Sequence, residues 1–294
     1  MNSKQLAYLY IISGAALWGL IGLFVKILAA QGFSSMEIVA LRSLASALCT
    51  SLLLFKLGKK ALAIELKDCW MFIGTGILSL TFFNYCYFNC IQGSSLAVAA
   101  LLLYTAPIFV MLMSIALFGE SFTKVKCIAL VMTFLGCGCI TGAFSGQLNL
   151  TIAGLLYGLG SGFGYALYSI FGKYAVRKYS SPTITAYTFY FSALAAVPLA
   201  DFGFGTVARI NGDTLLAMAG LGFICALIPY ILYTKGLEQV DAGQASILAT
   251  IEPFVAALVG VLCFGEPVTW QKLLGMGLIF IAIVLLNLPA KHKA

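Results

Sequence analysis

The chain has 294 residues, 62% of them hydrophobic and only 9% charged, and its mean hydropathy is +1.03. Soluble domains run at roughly 45–50% apolar and about 25% charged residues, so the composition excludes a water-soluble globular protein and gives an integral membrane protein. The formal charge of +7 does not indicate nucleic-acid binding, because the lysines and arginines sit at the ends of apolar runs, where bilayer orientation places them.

A helix needs about 20 apolar residues to cross a bilayer, and ten runs qualify: 6–29, 36–55, 69–91, 95–118, 124–143, 151–172, 183–203, 213–234, 242–263 and 269–288. The first follows Lys4 but is longer than a signal-peptide core and lacks a cleavage site, so it reads as a retained span. The connections are short and leave no room for a soluble domain. If the N-terminus is inside, thirteen of the seventeen basic residues fall on inner segments, among them Lys56, Lys59, Lys60, Lys67, Lys124, Lys126, Lys173, Arg177, Lys178, Lys235, Lys291 and Lys293. Both termini are therefore expected to be cytoplasmic, in the inner or plasma membrane of a prokaryote. The nine cysteines lie in or beside apolar runs without CxxC spacing, so they read as small buried hydrophobes, and His292 in the tail reads as a solvated cation. No cofactor or metal is expected.

Span one carries Trp18 within a glycine-containing run, and span two carries Arg42 about one turn from its outer end, where it is expected to snorkel to the interface. Span three brings Asn84, Tyr85, Tyr87, Asn89 and Gln92, span four Tyr104 and Pro107, and span six Tyr165 and Tyr168. Gly154, Gly158 and Gly162 of span six are spaced for close helix packing rather than phosphate binding, since no strand precedes them and no lysine completes a loop. Span eight brings Pro229, Tyr230, Tyr233 and Lys235.

Span nine is unusual. It places Glu252 midway along an apolar run and follows it with Pro253. A charge at the bilayer centre costs roughly 2.5–3.5 kcal/mol on insertion scales, and proline removes a helix donor. The pair predicts a broken helix presenting a carboxylate inward. That carboxylate either exchanges a proton, pairs with an ammonium group of a cargo, or is held in a fixed ion pair with Arg42, Lys26 or Lys235. Pro107 is expected to break span four in the same way.

An offset of 146 residues superposes Pro107 on Pro253, Phe118-Gly119-Glu120 on Phe264-Gly265-Glu266, Thr123 on Thr269 and Tyr87 on Tyr233. An offset of 147 pairs Trp18 with Tyr165 and Lys26 with Lys173. One half-molecule is used twice, over 1–146 and 147–294. Because each half has an odd number of spans, the second copy inserts upside down. The expected fold is therefore all-α, ten transmembrane helices in two inverted five-helix repeats, an architecture that places binding sites near the midplane. Glu120 and Glu266 end their spans at opposite faces and are expected to cap or order loops there.

The duplicated half, the Pro107–Glu120 and Pro253–Glu266 endings and the segments PYILYTKGL and ASILATIEPFVAALVG resemble the EamA-type members of the drug/metabolite transporter superfamily. The resemblance implies ten helices, a central cavity lined by spans one, three, four, six, eight and nine, and peripheral spans five and ten. It also implies export of amino acids, related metabolites or toxic cations, often coupled to protons. The positions that match the family pattern are Trp18, Gly19, Tyr233, Gly236, Glu252 and Pro253; the first repeat departs from the second in having Ala106 where Glu252 stands.

The expected function is thus a secondary active transporter, not an enzyme, that exports small amino acids or amines by alternating access. Trp18, Asn84, Tyr87, Tyr104, Tyr165, Tyr230, Tyr233 and Glu252 are the candidate cargo residues, with Glu252 also the candidate coupling site. The partners expected are a small-molecule cargo, protons and the lipid bilayer, without nucleic acid, for a monomer or homodimer. The alternatives are a membrane-embedded enzyme using Glu252 with Lys235, and a passive channel.

Overall fold

The computed structural model of the protein describes residues 3–58, 61, 63–144 and 150–287; Lys59, Lys60, Lys291, His292 and Lys293 lie outside them. Long helices dominate: α1 (Ser3–Ala30), α2 (Ser35–Leu57), α3 (Leu66–Gly93), α4 (Leu96–Phe118), α5 (Lys124–Thr141), α6 (Ile152–Ala175), α7 (Ser181–Leu199), α8 (Gly212–Leu237), α9 (Ala242–Phe264) and α10 (Trp270–Asn287). Among the described residues, eight are long and apolar enough to cross a membrane; α6 and α7, with 24 and 19 residues, match the others in length but are diluted by glycine, serine, threonine and tyrosine. The span expected over 183–203 ends at Leu199, beyond Pro198, and a five-residue helix, Phe204–Ala208, follows in the connection to α8.

The outward faces are apolar. Leu48, Leu52, Phe55, Leu112, Leu216 and Leu262 are all exposed. In water such a surface would be unstable, whereas in hydrocarbon it is the face that matches the solvent, and the helices satisfy their own backbone groups. The polar side chains turn inward instead: Ser43 meets Ser192 at 2.9 Å and Thr75 meets Thr188 at 2.7 Å between helices. Such interhelical hydroxyl pairs hold helices together where no hydrophobic force acts between them.

The pairings are regular. α5 packs chiefly on α10, α2 on α7, α3 on α6 and α1 on α8. The α5–α10 pair stands beside α4 and α9, while the others enclose the centre.

Three helices are interrupted. α1 breaks at Gly19–Leu20, α4 at Tyr104–Thr105 and α9 at Ala249–Thr250. Pro107 and Pro253 both fall in the first turn after their break, where the missing N–H has no intrahelical partner to lose. Proline here starts a second half-helix instead of kinking a continuous one.

The glycines of α6 form its packing face. A Cβ added at Gly154 would lie 2.7 Å from the carbonyl oxygen of Gly93, and one at Gly162 would lie 2.7 Å from that of Leu102. Both neighbours are backbone and cannot swing away. Gly154→Ala is therefore expected to overpack the α3–α6 contact by about 1–3 kcal/mol and lower the thermal midpoint in detergent. Gly277→Ala on α10, where a Cβ meets nothing within 4 Å, is expected to leave the midpoint unchanged or raise it.

Candidate functional site

The centre of the bundle is built where helices lose their regularity. α3 runs as a π-helix over Gly74–Thr81, and α8 does so over Phe223–Leu227. At the sequence offset of 146, Phe223–Leu227 corresponds to residues 77–81, so the two irregular segments occupy equivalent places in the two halves. A π-turn inserts a residue and rotates the side chains beyond it, which is why such turns recur at functional positions. Ser79 lies within the α3 segment and is buried.

α1 is brought against α9 at Gly19. A Cβ at that position would lie 2.8 Å from the carbonyl oxygen of Glu252 and 2.7 Å from the Cβ of Val255. Hydrogen as the side chain is what lets Trp18, the residue before, project between α6 and α8.

Trp18, Ser79, Phe83, Tyr165, Tyr168, Ser169, Tyr230 and Tyr233 line a small cavity there. Its walls are interlocked rings: Trp18 stands edge-on to Tyr230 at 5.0 Å and to Tyr165 at 6.3 Å, and Tyr168 edge-on to Tyr230 at 4.9 Å. Such T-shaped pairs fix ring orientation as well as filling space. Most of the hydroxyls are already held. Tyr168 meets Thr234 and Ser169 meets Tyr233, each at 2.7 Å.

Glu252 sits behind this cavity. The Tyr165 hydroxyl donates to its carboxylate at 2.7 Å. The fixed ion pair with lysine, one of the alternatives open from the sequence, is not formed among the described residues: Lys26 lies over the Phe264 ring at 3.5 Å and Lys235 near the Tyr10 ring at 5.5 Å. Arg42 does not snorkel. Its guanidinium turns into the bundle, donates to the Cys225 carbonyl at 3.4 Å and lies 5.9 Å from the Tyr230 ring centre.

Of the residues singled out from the sequence, Trp18, Tyr165, Tyr230 and Tyr233 line the cavity, and Glu252 joins it through Tyr165. Asn84 is turned back on its own helix, donating to the Leu80 carbonyl at 2.7 Å. Tyr87 packs on Phe88, and Tyr104 sits at the α4 break; neither lines the cavity. Ser79 and Ser169 are cavity residues that apolar periodicity did not mark. The signal for Ser79 was the polar run Gly74-Thr75-Gly76 ahead of it, which a regular span would not carry. Tyr165→Phe removes the donor to a buried carboxylate and is expected to cost about 1–3 kcal/mol. A thermal double-mutant cycle with Glu252→Gln should return a coupling of about 1 kcal/mol, whereas Tyr87→Phe should show none.

The model of the EamA-like transporter family matches residues 5–142 and again 152–288. A transporter of Archaeoglobus fulgidus is 34% identical over 213 residues, covering 71% of this chain and 75% of its own. The inner membrane transporter YicL of Salmonella typhimurium is 25% identical across 100% of this chain and 99% of its own, and the transporter YwfM of Bacillus subtilis is 25% identical across 97% and 95%. A crystal structure at 18% identity superposes over 96% of both chains with a TM-score of 0.80, which gives the same fold. Built as an all-helical, multi-pass membrane protein and matched twice over almost its whole length, the chain belongs to the EamA-like transporter family.

Proposed function

We propose that the protein is a secondary active transporter of the inner membrane that exports amino acids or related amines by alternating access, with proton coupling at Glu252. On this reading α1–α10 are ten spans in two inverted repeats, residues 1–146 and 147–294, with both termini cytoplasmic.

The observation that carries it is that two ends of the bundle equivalent in sequence are in different states. At one end the Glu120 carboxylate accepts the backbone N–H groups of Ala242 at 2.7 Å and Gly243 at 3.1 Å, capping α9. A carboxylate is favoured there by both the open N–H groups and the helix dipole. Around it, buried Lys126 reaches Asp241 at 2.8 Å, and Lys173 donates to the carbonyls of Leu237 and Val240, each at 2.7 Å, at the end of α8. Gln244 ties the same turn to Tyr8 and Leu286. Every residue from Ala242 to Leu248 is buried.

The equivalent end is arranged otherwise. Glu266, the counterpart of Glu120, is bound by Lys272 at 2.9 Å. The α4 N-terminus, counterpart of the α9 N-terminus, is capped by Ser95 alone, and Leu96 is exposed. With cytoplasmic termini, the closed end is the cytoplasmic one. A carrier that moves cargo by exchanging which of two like ends is sealed must pass through such a state, and an inverted repeat supplies both ends from one design.

Glu252 supports coupling because, among the described residues, its hydrogen-bond donor is a tyrosine and no lysine is bonded to it. Protonation can therefore switch its charge without breaking a lysine bridge. Counterflow in proteoliposomes, run across a panel of amino acids and polyamines with and without a proton gradient, tests the function. The expected result is saturable exchange that responds to the gradient, and Glu252→Gln should keep the fold but lose that response. Gradient-responsive exchange in Glu252→Gln equal to that of the parent would overturn the coupling role. For the closed end, Glu120→Gln should speed hydrogen exchange in the 242–250 segment by roughly tenfold, the equivalent of about 1.4 kcal/mol; an unchanged rate would show that the cap does not hold the seal.

A further inference from the structure

The residues that close the α9 N-terminus have counterparts, 146 positions away, around the α4 N-terminus. Glu120, Lys126, Asp241, Ala242 and Gly243 correspond to Glu266, Lys272, Ser95, Leu96 and Ala97. Both lysines stand at the same place in their helices: the N–H of Lys126 donates to Thr123 Oγ1 at 3.2 Å, and that of Lys272 to Thr269 Oγ1 at 3.3 Å. Their side chains do different things. Lys126 is buried and reaches across to Asp241 at 2.8 Å, which leaves Glu120 to take the N–H groups of Ala242 and Gly243. Lys272 turns back on Glu266 at 2.9 Å, and Ser95 caps its own helix by accepting from the Val98 N–H at 3.2 Å.

Packing at the two ends differs in a compensating way. Gly243 lies against the second half of α4, where an added Cβ would be 2.9 Å from Met111 Sδ and 3.2 Å from Ser114 Oγ. The counterparts of Met111 and Ser114 on α9 are Ala257 and Gly260. Bulk lost from the wall is thus regained on the helix end that would dock there: methionine and serine face alanine and glycine at one end, and alanine and glycine await leucine and alanine at the other. A swap that conserves the summed volume keeps a packed contact possible. In the structure that second contact is not made. Leu96 is 63% exposed, and the notch at Gly260 holds the Glu266 carboxylate, 2.7 Å from where a Cβ would be.

We propose that Glu266, Lys272 and the α4 N-terminus are a second gate, poised open: in the opposite half of the cycle Glu266 leaves Lys272 to cap Leu96 and Ala97, these two seat on Ala257 and Gly260, and the end around Glu120 opens. The proposal rests on the alternating-access reading above and adds what sets the resting state. A carboxylate is favoured at an open helix N-terminus, so both gates have the same latch. Only the gate at α9 has an acid for its lysine, because Ser95 stands where Asp241 does. That one ion pair biases the protein towards the state with the α9 end sealed.

The test exchanges the two residues. Asp241→Ser with Ser95→Asp moves the acid from the α9 end to the α4 end, and serine and aspartate are equally good N-caps, so neither helix loses its first-turn partner. Hydrogen exchange of the full-length parent and variant in lipid nanodiscs needs no cargo. The expected result is an inverted pattern, with segment 242–250 exchanging roughly tenfold faster and segment 95–103 roughly tenfold slower than in the parent. Adding Glu266→Gln should cancel the slowing at 95–103. Ser95→Asp alone, which leaves the α9 end untouched, should give the same reciprocal changes at about threefold; size-exclusion elution establishes that each variant is folded. Changes confined to the end that carries the substitution would overturn the proposal, since the two ends would then be independent, and so would slowing at 95–103 that survives Glu266→Gln. Counterflow without the inverted pattern would keep the carrier and overturn the gate. The inverted pattern in a protein without counterflow of any amino acid or polyamine would keep the two gates and overturn the cargo reading instead.

Discussion

A carboxylate inside a hydrocarbon-spanning bundle must be held by something, and among the described residues a hydroxyl from another helix holds it. The bond from Tyr165 to Glu252 links α6 to α9, and much of the local architecture follows from making it possible. α9 is interrupted just before Glu252. Gly19 lets α1 approach the same turn within backbone contact distance. The α6 glycines bring that helix down onto α3 and α4, which positions Tyr165 at its height. An apolar residue in place of Glu252 or Tyr165 would remove the polar centre, and a Cβ at Gly19 would collide with the turn that carries Glu252.

Duplication followed by divergence gives the two halves different jobs on the proposed reading. Residues that still match, such as Pro107 with Pro253 and Glu120 with Glu266, sit at breaks and ends where a mirrored pair serves both sides of the membrane in turn. Residues that have diverged, Ala106 against Glu252 and Trp18 against Tyr165, sit at the middle. Only one half carries the ionisable group, since Ala106 stands where Glu252 does. The ends differ in a separate way. Glu120 caps a helix N-terminus while Glu266 is bound to a lysine, although both follow Phe-Gly and precede a threonine three residues on. The segments they face differ as well, Asp241-Ala242-Gly243 against Ser95-Leu96-Ala97, and only the first offers an acid to the buried lysine Lys126.

The sequence made much of the site legible because membrane helices admit few polar residues, and each one stands out against an apolar background. Glu252, Trp18, Tyr165, Tyr230 and Tyr233 were all visible on that ground. The same reasoning placed Asn84, Tyr87 and Tyr104 with them, but Asn84 satisfies itself on its own helix, which a polarity count cannot distinguish from facing a cavity. Arg42 was assigned to the interface because a long cationic side chain near a span end has that option. What turned it inward was the carbonyl of Cys225 and the ring of Tyr230, neither of which is near it in sequence.

Alone, the sequence determined the solvent of this protein, the number and order of its apolar runs, its internal duplication and the presence of a carboxylate in the middle of one of them. These follow from composition, run length and identity at a fixed offset, all of which are local or one-dimensional quantities. Tertiary structure decided which polar groups meet. Ser79 is a cavity residue within the π-segment of α3, Glu252 is paired with a tyrosine 87 positions away, and Glu120 meets the α9 N-terminus while Glu266 meets Lys272. Those outcomes depend on how each helix is rotated and packed against its neighbours, and neither is encoded in the spacing of any single helix.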